Sequence, residues 1–188
     1  MTFPVGAVVL DLFGTLVAAP TPAARTTAAS ALARVIGCDI HAVDDYLLGT
    51  WRHRHDGTLP TLSDLAEHVV NAVDGPASAI EPVMRELSAL AHDRVAPDTS
   101  VMRTLTVLGD MGLRIGVLSD ASADIATTWP DGRLATIVDA VVFSCAAGCT
   151  KPDRRLYARI TAALGVPPRH TLGVLRAFRT RDLLRSFL

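Results

Sequence analysis

Short apolar runs alternate along the chain with longer amphipathic stretches, and this pattern predicts an α/β fold. Apolar runs of roughly four to eight residues bounded by turn residues are typical of strands buried in a parallel sheet. Four such runs occur, at residues 5–10, 113–118, 138–143 and, more weakly, 171–175. We therefore predict a Rossmann-like parallel sheet as the core of the protein.

Helical periodicity fills most of the remaining chain. Between the first two predicted strands, four amphipathic segments carry helix start and stop signals, at residues 21–36, 41–55, 61–73 and 77–92. Because no strand interrupts them, these segments cannot belong to the sheet, and we expect an inserted all-α bundle. The predicted division is an α/β core of residues 1–16 and 94–188 and a helical insertion of residues 17–93. Within the core, helices are predicted at about 96–111, 122–128 and 153–164.

Composition excludes several classes of protein. The chain has 188 residues, 49% of them hydrophobic and 20% charged, with a net charge of -1. This balance is that of a globular protein and favours neither a nucleic-acid partner nor a membrane surface. No apolar run reaches the ~20 residues of a membrane span, and no signal peptide is recognised. Three cysteines are too few for a disulfide framework or a metal site, so we expect a cytoplasmic protein.

Polar side chains stand where three of the predicted strands end. Asp11 follows the first strand, Ser119 and Asp120 end the second, and Lys151 comes shortly after the third. Open α/β sheets bind their ligands at the carboxyl ends of their strands. Lys151 is the only lysine among 18 basic residues, which favours a specific role for its compact charge over a chance surface position. For Asp11, a helix cap or an Asx turn is the structural alternative.

The order of these motifs resembles the haloacid dehalogenase superfamily of hydrolases. The resemblance rests on Asp11-Leu-Phe-Gly-Thr15, on Ser119 at the end of an apolar strand, and on Cys149-Thr-Lys-Pro-Asp153, and it covers residues 5 to about 172. It implies that Asp11 is a nucleophile that forms a covalent aspartyl intermediate, which water then hydrolyses. It also implies that Ser119 donates a hydrogen bond to the transferred group, that Lys151 neutralises charge, and that the helical insertion is a cap.

Further residues of the motifs have supporting roles under this resemblance. Gly14 permits the turn after Asp11 and Thr15 holds that loop, although a hydroxyl that bonds to local backbone is the alternative for Thr15 and for Ser119. Phe13, Gly14 and Asp120 would border the substrate, with a capping or solvated side chain as the alternative for Asp120. Arg52 belongs to a basic cluster at residues 52–55, which could bind a substrate carboxylate or phosphate, or simply form a solvated helix end.

Phe13 is a departure from the phosphatases of this superfamily. Those enzymes carry an aspartate two residues after the nucleophile, and it protonates the leaving alkoxide. Phenylalanine can transfer no proton, which removes a contribution of roughly 10²–10⁴-fold. The haloacid dehalogenase branch also has an aromatic residue at this position, because a departing halide needs no proton. Phe13 therefore favours dehalogenase-like chemistry, while substrates with good leaving groups would tolerate it.

The fourth motif of the superfamily is degenerate here. Where an acidic metal ligand should stand the sequence has Arg176 and Ala177, and only Asp182 could fill an acidic position. The resemblance implies Mg²⁺ bound by Asp11, the Phe13 carbonyl and, doubtfully, Asp182, and the alternative is a reaction without a metal. The arginine-rich ending does not resemble the family and suggests an altered or truncated C-terminus. The resulting unpaired sheet edge would favour a homodimer.

The function predicted from sequence is that of a hydrolase with an aspartate nucleophile, acting on a small-molecule substrate. A phosphate ester and a 2-haloacid are the two candidate substrate classes. The alternative is a catalytically impaired or inactive remnant of such a hydrolase, or a fold kept for binding a partner. The degenerate fourth motif supports this alternative, whereas the presence of Asp11, Ser119 and Lys151 together opposes it.

Overall fold

A computed structural model of the chain describes residues 5–174. Its four strands are β1 (Ala7–Leu10), β2 (Arg114–Ser119), β3 (Ala140–Phe143) and β4 (Thr171–Val174), and all of them pair in parallel in the order β3-β2-β1-β4. The predicted parallel sheet is therefore confirmed. Leu10 of β1 lies beside Val117 of β2, and Ser119 lies beside Phe143 of β3. This register brings the carboxyl ends of the three motif-bearing strands to one edge.

Nine α-helices lie among the described residues. The first five along the chain follow β1: α1 (Pro22–Ile36), α2 (Ile40–Gly49), α3 (Trp51–His55), α4 (Leu62–Ala72) and α5 (Ile80–Arg94). The other four are α6 (Thr99–Asp110), α7 (Ala123–Thr128), α8 (Ser144–Ala147) and α9 (Arg154–Leu164). We refer to α1–α5 as the inserted helices.

The inserted helices differ from the sequence prediction in one place. The prediction of a single helix over residues 41–55 was wrong, because the chain leaves helical geometry at Thr50, where φ is -105° and ψ is 14°. The Thr50 hydroxyl donates to the Tyr46 carbonyl at 2.6 Å, one turn earlier. Side-chain hydroxyls that bond back to the preceding turn bend helices. The result is five inserted helices where the pattern predicts four.

Capping explains where the better predicted helices begin and end. Thr21 caps α1, with Pro22 in the first turn and Gly37 in the left-handed conformation (φ +82°) after the last. Thr61 and Asp64 form a reciprocal capping box at the start of α4. These local signals are readable in sequence because each involves residues within a few positions of one another.

The apolar residues form one cluster on each face of the sheet and a third among the inserted helices. The third cluster includes Leu32, Val43, Val69 and Val83, all of which are fully buried. Ala91 and Val95, at the end of α5 and just after it, belong instead to a sheet cluster. A separate core within the inserted helices is compatible with the predicted cap, whose boundaries remain a prediction.

Several sequence predictions concern residues outside 5–174. Asp182 and the four C-terminal arginines (Arg176, Arg179, Arg181 and Arg185) lie outside the described residues, as does Ala177. The predicted metal role of Asp182 and the predicted altered ending are therefore untested by the fold. Among the residues that the structure describes, no helix is long and apolar enough to cross a membrane.

Candidate active site

Asp11 lies at the carboxyl end of β1, in a loop closed by backbone hydrogen bonds. The Leu12 carbonyl accepts from the N–H groups of Leu16 (2.9 Å) and Val17 (3.0 Å), and Gly14 N–H donates to the Val17 carbonyl at 2.7 Å. Gly14 has φ +76°, a conformation that favours glycine, so its predicted role in the turn has a structural basis. Asp11 itself is buried, with 7% of its surface exposed.

Asp11 forms an ion pair with Lys151. The Lys151 Nζ lies 3.0 Å from Asp11 Oδ1, and the Leu12 N–H donates to the same oxygen at 2.8 Å. The Lys151 side chain is only 5% exposed, so water screens this pair weakly. Among residues 5–174, no group donates a hydrogen bond to Asp11 Oδ2. One carboxylate oxygen is therefore held by the protein while the other is left open.

Asp120 connects the second and third motifs. Its Oδ1 accepts a hydrogen bond from the backbone N–H of Lys151 at 2.9 Å. Burial raises the pKa of the Asp120 carboxyl, and the charge of Asp11 raises it further, while Lys151 opposes both effects. The structure therefore brings Asp11, Asp120 and Lys151 together, as the sequence predicts for the ends of neighbouring strands.

The remaining predicted site residues occupy different surroundings. Ser119 is buried, and its hydroxyl donates to the adjacent Asp120 carbonyl at 3.5 Å, which is a weak local contact. Thr15 lines a groove between β1 and α6 together with Leu10 and Ser100. Arg52 is exposed on α3, and Asp56 is a charged group close to it. The catalytic roles of Ser119 and Thr15 and the substrate role of Arg52 remain predictions.

Phe13 lies under a basic side chain that sequence analysis missed. The Arg94 guanidinium carbon is 5.1 Å from the centroid of the Phe13 ring, a cation–π distance. Arg94 also lies 3.7 Å from the carboxylate of Asp124, which is 4% exposed and accepts a hydrogen bond from the Ser122 hydroxyl. No local pattern identifies these residues, because Arg94 is 81 positions from Phe13 and 30 from Asp124.

Tyr157 is a second residue that sequence analysis missed. It lies in the first half of α9 and is half-buried. Burial raises the pKa of its phenol, and the charges of Asp120 and Asp11 raise it further. The signal that could have found it is its place in the helix that directly follows the third motif, six residues after Lys151.

The described residues do not by themselves fit a magnesium site. Mg²⁺ takes near-octahedral oxygen ligands, usually one or two carboxylates with waters and substrate. Within residues 5–174, no group of three or more His, Cys, Asp or Glu side chains could hold a metal ion. Asp11 Oδ1 is moreover engaged by Lys151. We therefore derive no reaction step through a metal, and Mg²⁺ stays a prediction from sequence.

Solved structures with the same fold include both phosphate-binding and dehalogenating proteins. A HAD family enzyme from Bacteroides thetaiotaomicron, in complex with magnesium and inorganic phosphate, matches with a TM-score of 0.66 and 14% identity over 90% of this chain and 83% of its own. An L-2-haloacid dehalogenase from Xanthobacter autotrophicus, with chloropropionic acid covalently bound, matches with a TM-score of 0.57 and 20% identity over 90% of this chain and 69% of its own. At such identities the likeness shows the fold alone.

Comparison with known sequences gives the family. None of the curated proteins matches the chain significantly. The family model described as haloacid dehalogenase-like hydrolase matches residues 5–174, which is most of the chain and includes all three strand-end motifs. The chain therefore belongs to the haloacid dehalogenase-like hydrolases.

Proposed function

We propose that this protein hydrolyses a small organic acid that carries a leaving group on carbon, through an ester formed at Asp11. A 2-haloacid is the substrate class that fits this chemistry. The observation that carries the proposal is the asymmetry of the Asp11 carboxylate: Lys151 and the Leu12 N–H hold Oδ1, while Oδ2 accepts no hydrogen bond from the described residues. An oriented carboxylate with one open oxygen is arranged for nucleophilic attack.

The first step is displacement at carbon. Asp11 Oδ2 attacks the carbon that bears the halogen, a carbon–oxygen bond forms, and the carbon–halogen bond breaks with its electron pair leaving on the halide. Lys151 holds the other carboxylate oxygen in place during this attack. No proton has to reach the leaving group, since halide departs as a stable anion.

The second step is hydrolysis of the ester. Water adds to the Cγ carbon of Asp11, the Cγ–oxygen bond to the substrate breaks, and the product leaves as a 2-hydroxy acid with the proton released to solvent. Negative charge develops on the Asp11 carbonyl oxygen during this addition. Lys151, 3.0 Å from Oδ1, is the described cation that would stabilise that charge.

Phe13 supports displacement at carbon over hydrolysis of a phosphate ester. It stands two residues after Asp11, is half-buried and lies against Arg94. An aromatic ring in this place cannot protonate an alkoxide, which a phosphate monoester of an ordinary alcohol would need. Halide departs without a proton, so Phe13 does not hinder displacement at carbon.

Phosphate-ester hydrolysis is the second candidate function. Its support is the fold shared with the Bacteroides thetaiotaomicron enzyme, whose structure contains magnesium and inorganic phosphate. A phosphorylated substrate with a good leaving group would not need the acid that Phe13 replaces.

The test is a paired substrate assay on the full chain. Halide release from 2-chloropropionate and phosphate release from p-nitrophenyl phosphate with Mg²⁺ are measured for the protein and for Asp11→Asn. We expect halide release, and its loss by about 10³-fold or more in Asp11→Asn. Phosphate release alone would support the second candidate. A cooperatively melting protein that turns over neither compound would favour the non-catalytic alternative.

Beryllium fluoride with Mg²⁺ provides an independent measurement of the second candidate. This combination mimics a phosphorylated aspartate, and a ligand that binds only the folded state raises the Tm. A Tm increase that disappears in Asp11→Asn would reveal a working phosphoryl site.

A further inference from the structure

We propose that Arg94 is a positioning residue: it holds the Phe13 ring and, through that ring, the loop that carries Asp11. The contact lies at the junction of the inserted helices and the sheet loops, because Arg94 is the last residue of α5. This role rests on the proposed function, since it concerns the orientation of the same Asp11 carboxylate.

Arg94 touches two segments that follow neighbouring strands. Its guanidinium carbon lies 5.1 Å from the centroid of the Phe13 ring, and its Nη1 lies 3.7 Å from Asp124 Oδ2. Phe13 belongs to the loop after β1, and Asp124 lies in the first turn of α7, shortly after β2. One side chain of the inserted helices therefore links the nucleophile loop to α7.

Asp124 is a fixed partner for the guanidinium. It is 4% exposed, its carboxylate accepts a hydrogen bond from the Ser122 hydroxyl, and its backbone carbonyl accepts one from the Thr128 hydroxyl at 2.8 Å. Among residues 5–174, Arg94 is the one basic side chain that forms an ion pair with it. A buried carboxylate without a positive partner is costly, so Arg94 is held towards α7.

The Phe13 ring has an apolar support as well as this cation. It packs against the sheet cluster that also contains Ala91 and Val95, from the end of α5. Apolar packing is not directional, whereas a cation is attracted to the face of an aromatic ring. The guanidinium therefore restrains the orientation of the ring in a way that the apolar cluster alone does not.

A short covalent path leads from the ring to the nucleophile. Phe13 is bonded directly to Leu12, whose N–H donates to Asp11 Oδ1 at 2.8 Å. Because the peptide unit that joins Leu12 and Phe13 is planar, a shift of Phe13 is passed on to Leu12. A displaced Leu12 N–H would remove one of the two described contacts that hold Oδ1, and the carboxylate would lose its orientation.

Kinetics of halide release from 2-chloropropionate test this role in the full chain. The variants are Arg94→Met, Arg94→Lys and the control Arg85→Met, which changes an exposed arginine of the same helix. We expect Arg94→Met to lower kcat by about 10-fold and to change KM by less than about 2-fold, because the nucleophile is misoriented. Arg94→Lys keeps a cation for the ring and should recover part of the loss, and Arg85→Met should change neither constant. A change in KM without a change in kcat would overturn the proposal.

Phe13→Leu tests the route through the ring. If Arg94 acts through Phe13, Arg94→Met should cost less than about 2-fold in kcat in the Phe13→Leu background, because the two effects are coupled. A loss of about 10-fold in that background as well would overturn the proposal.

Hydrogen exchange of the Leu12 amide, followed by NMR without substrate, gives a readout that needs no turnover. We expect Arg94→Met to accelerate exchange of this amide by about 10-fold or more relative to the amides of β2, and Arg85→Met to leave it unchanged. Arg94→Met leaves the buried Asp124 carboxylate unpaired, so the same measurement on Arg94→Met combined with Asp124→Asn covers the case in which the single variant does not fold. Unchanged exchange at Leu12, or equal acceleration in β2, would overturn the proposal.

The outcomes separate this inference from the proposed function. Faster exchange at Leu12 in the Arg94→Met variant of a protein that releases no halide would preserve the positioning role and refute the reaction. Halide release with an unchanged kcat in Arg94→Met would preserve the reaction and refute the positioning role.

Discussion

Two groups of charged side chains surround the sheet loops, and they differ in sign and in origin. The catalytic group consists of Asp11, Asp120 and Lys151, with a formal charge of -1, and all of it comes from loops at the end of the sheet. The junction group consists of Arg54, Arg94 and Asp124, with a formal charge of +1. Its two arginines come from the inserted helices, and its carboxylate comes from α7 of the core.

Under the proposed function, this difference bears on how an anionic substrate would approach an anionic nucleophile. A small acid would be repelled by the catalytic group, and positive charge elsewhere around the loops would lower that barrier. The catalytic group is nearly dry, with side chains of Asp11 and Lys151 at 10% and 5% exposure, whereas Arg94 is 38% exposed. Under the proposed function, the chemistry would take place in the buried group.

Removing the charge of Lys151 should have the largest effect, because it changes the charge of the catalytic group itself. Lys151→Met leaves the catalytic group at a formal charge of -2, with Asp11 buried and unpaired. We expect halide release to fall by roughly 10²–10³-fold, because the cation that stabilises the ester hydrolysis is lost. Steady-state kinetics on 2-chloropropionate measures this loss.

Lys151→Arg is the matched control for charge. A planar guanidinium does not fit a nearly dry place shaped for an ammonium group, so we expect it to restore only part of the activity. Full activity in Lys151→Met would contradict the assigned role.

Protonation of His55 should add positive charge to the junction group and so increase its difference in charge from the catalytic group. Burial is the main reason that its pKa is lowered to about 4, and the Arg54 and Arg94 charges lower it further, while the Trp51 carbonyl and Asp124 oppose the shift. The unfolded chain binds this proton below about pH 6.5 and the folded protein only near pH 4. The free energy of unfolding should therefore fall as pH decreases between these values, by up to about 3 kcal/mol.

Denaturant unfolding at several pH values measures this dependence. His55→Gln should flatten the slope between pH 6.5 and 4, because the titrating group is removed. The exposed His53 provides the control, since His53→Gln should leave the slope unchanged. Equal slopes in all three proteins would mean that His55 is not the group responsible.

Replacement of Gly57 by alanine should move the two groups apart. Of the changes considered, we expect it to have the smallest effect on stability. Gly57 has φ +91°, and an added Cβ would lie 2.6 Å from Gly148 Cα. We expect Gly57→Ala to lower the free energy of unfolding by about 1–3 kcal/mol through backbone strain and overpacking. It should also raise KM by moving the inserted helices away from the loops.

Gly109→Ala is the matched control for this substitution. Gly109 lies within α6 with nothing within 4 Å of its virtual Cβ, so alanine should stabilise the protein by about 0.5–1 kcal/mol. Thermal melts of both variants give the comparison directly. If Gly57→Ala leaves the Tm unchanged, the junction tolerates separation of its two sides.

The sequence by itself determined the parallel sheet, the inserted helices and the convergence of Asp11, Asp120 and Lys151. Strand periodicity, caps such as Thr61 with Asp64, and motifs at strand ends are local patterns, and parallel strands bring their carboxyl ends together whatever the details of packing. The single lysine and Phe13 favoured displacement at carbon as the predicted chemistry. They could be used in this way because the residue type at a strand end can be read from the sequence without a structure.

Only the tertiary structure decided which arginines are partly buried and which of them contacts Phe13. Arg54 is half-buried and donates to the Leu47 carbonyl, whereas Arg52 is exposed, and helical spacing alone does not fix this choice. Arg94 meets Phe13 and Asp124 because α5 packs against α7, which joins residues far apart in the chain. Such contacts follow from the packing of whole elements on one another, and no local pattern encodes that packing.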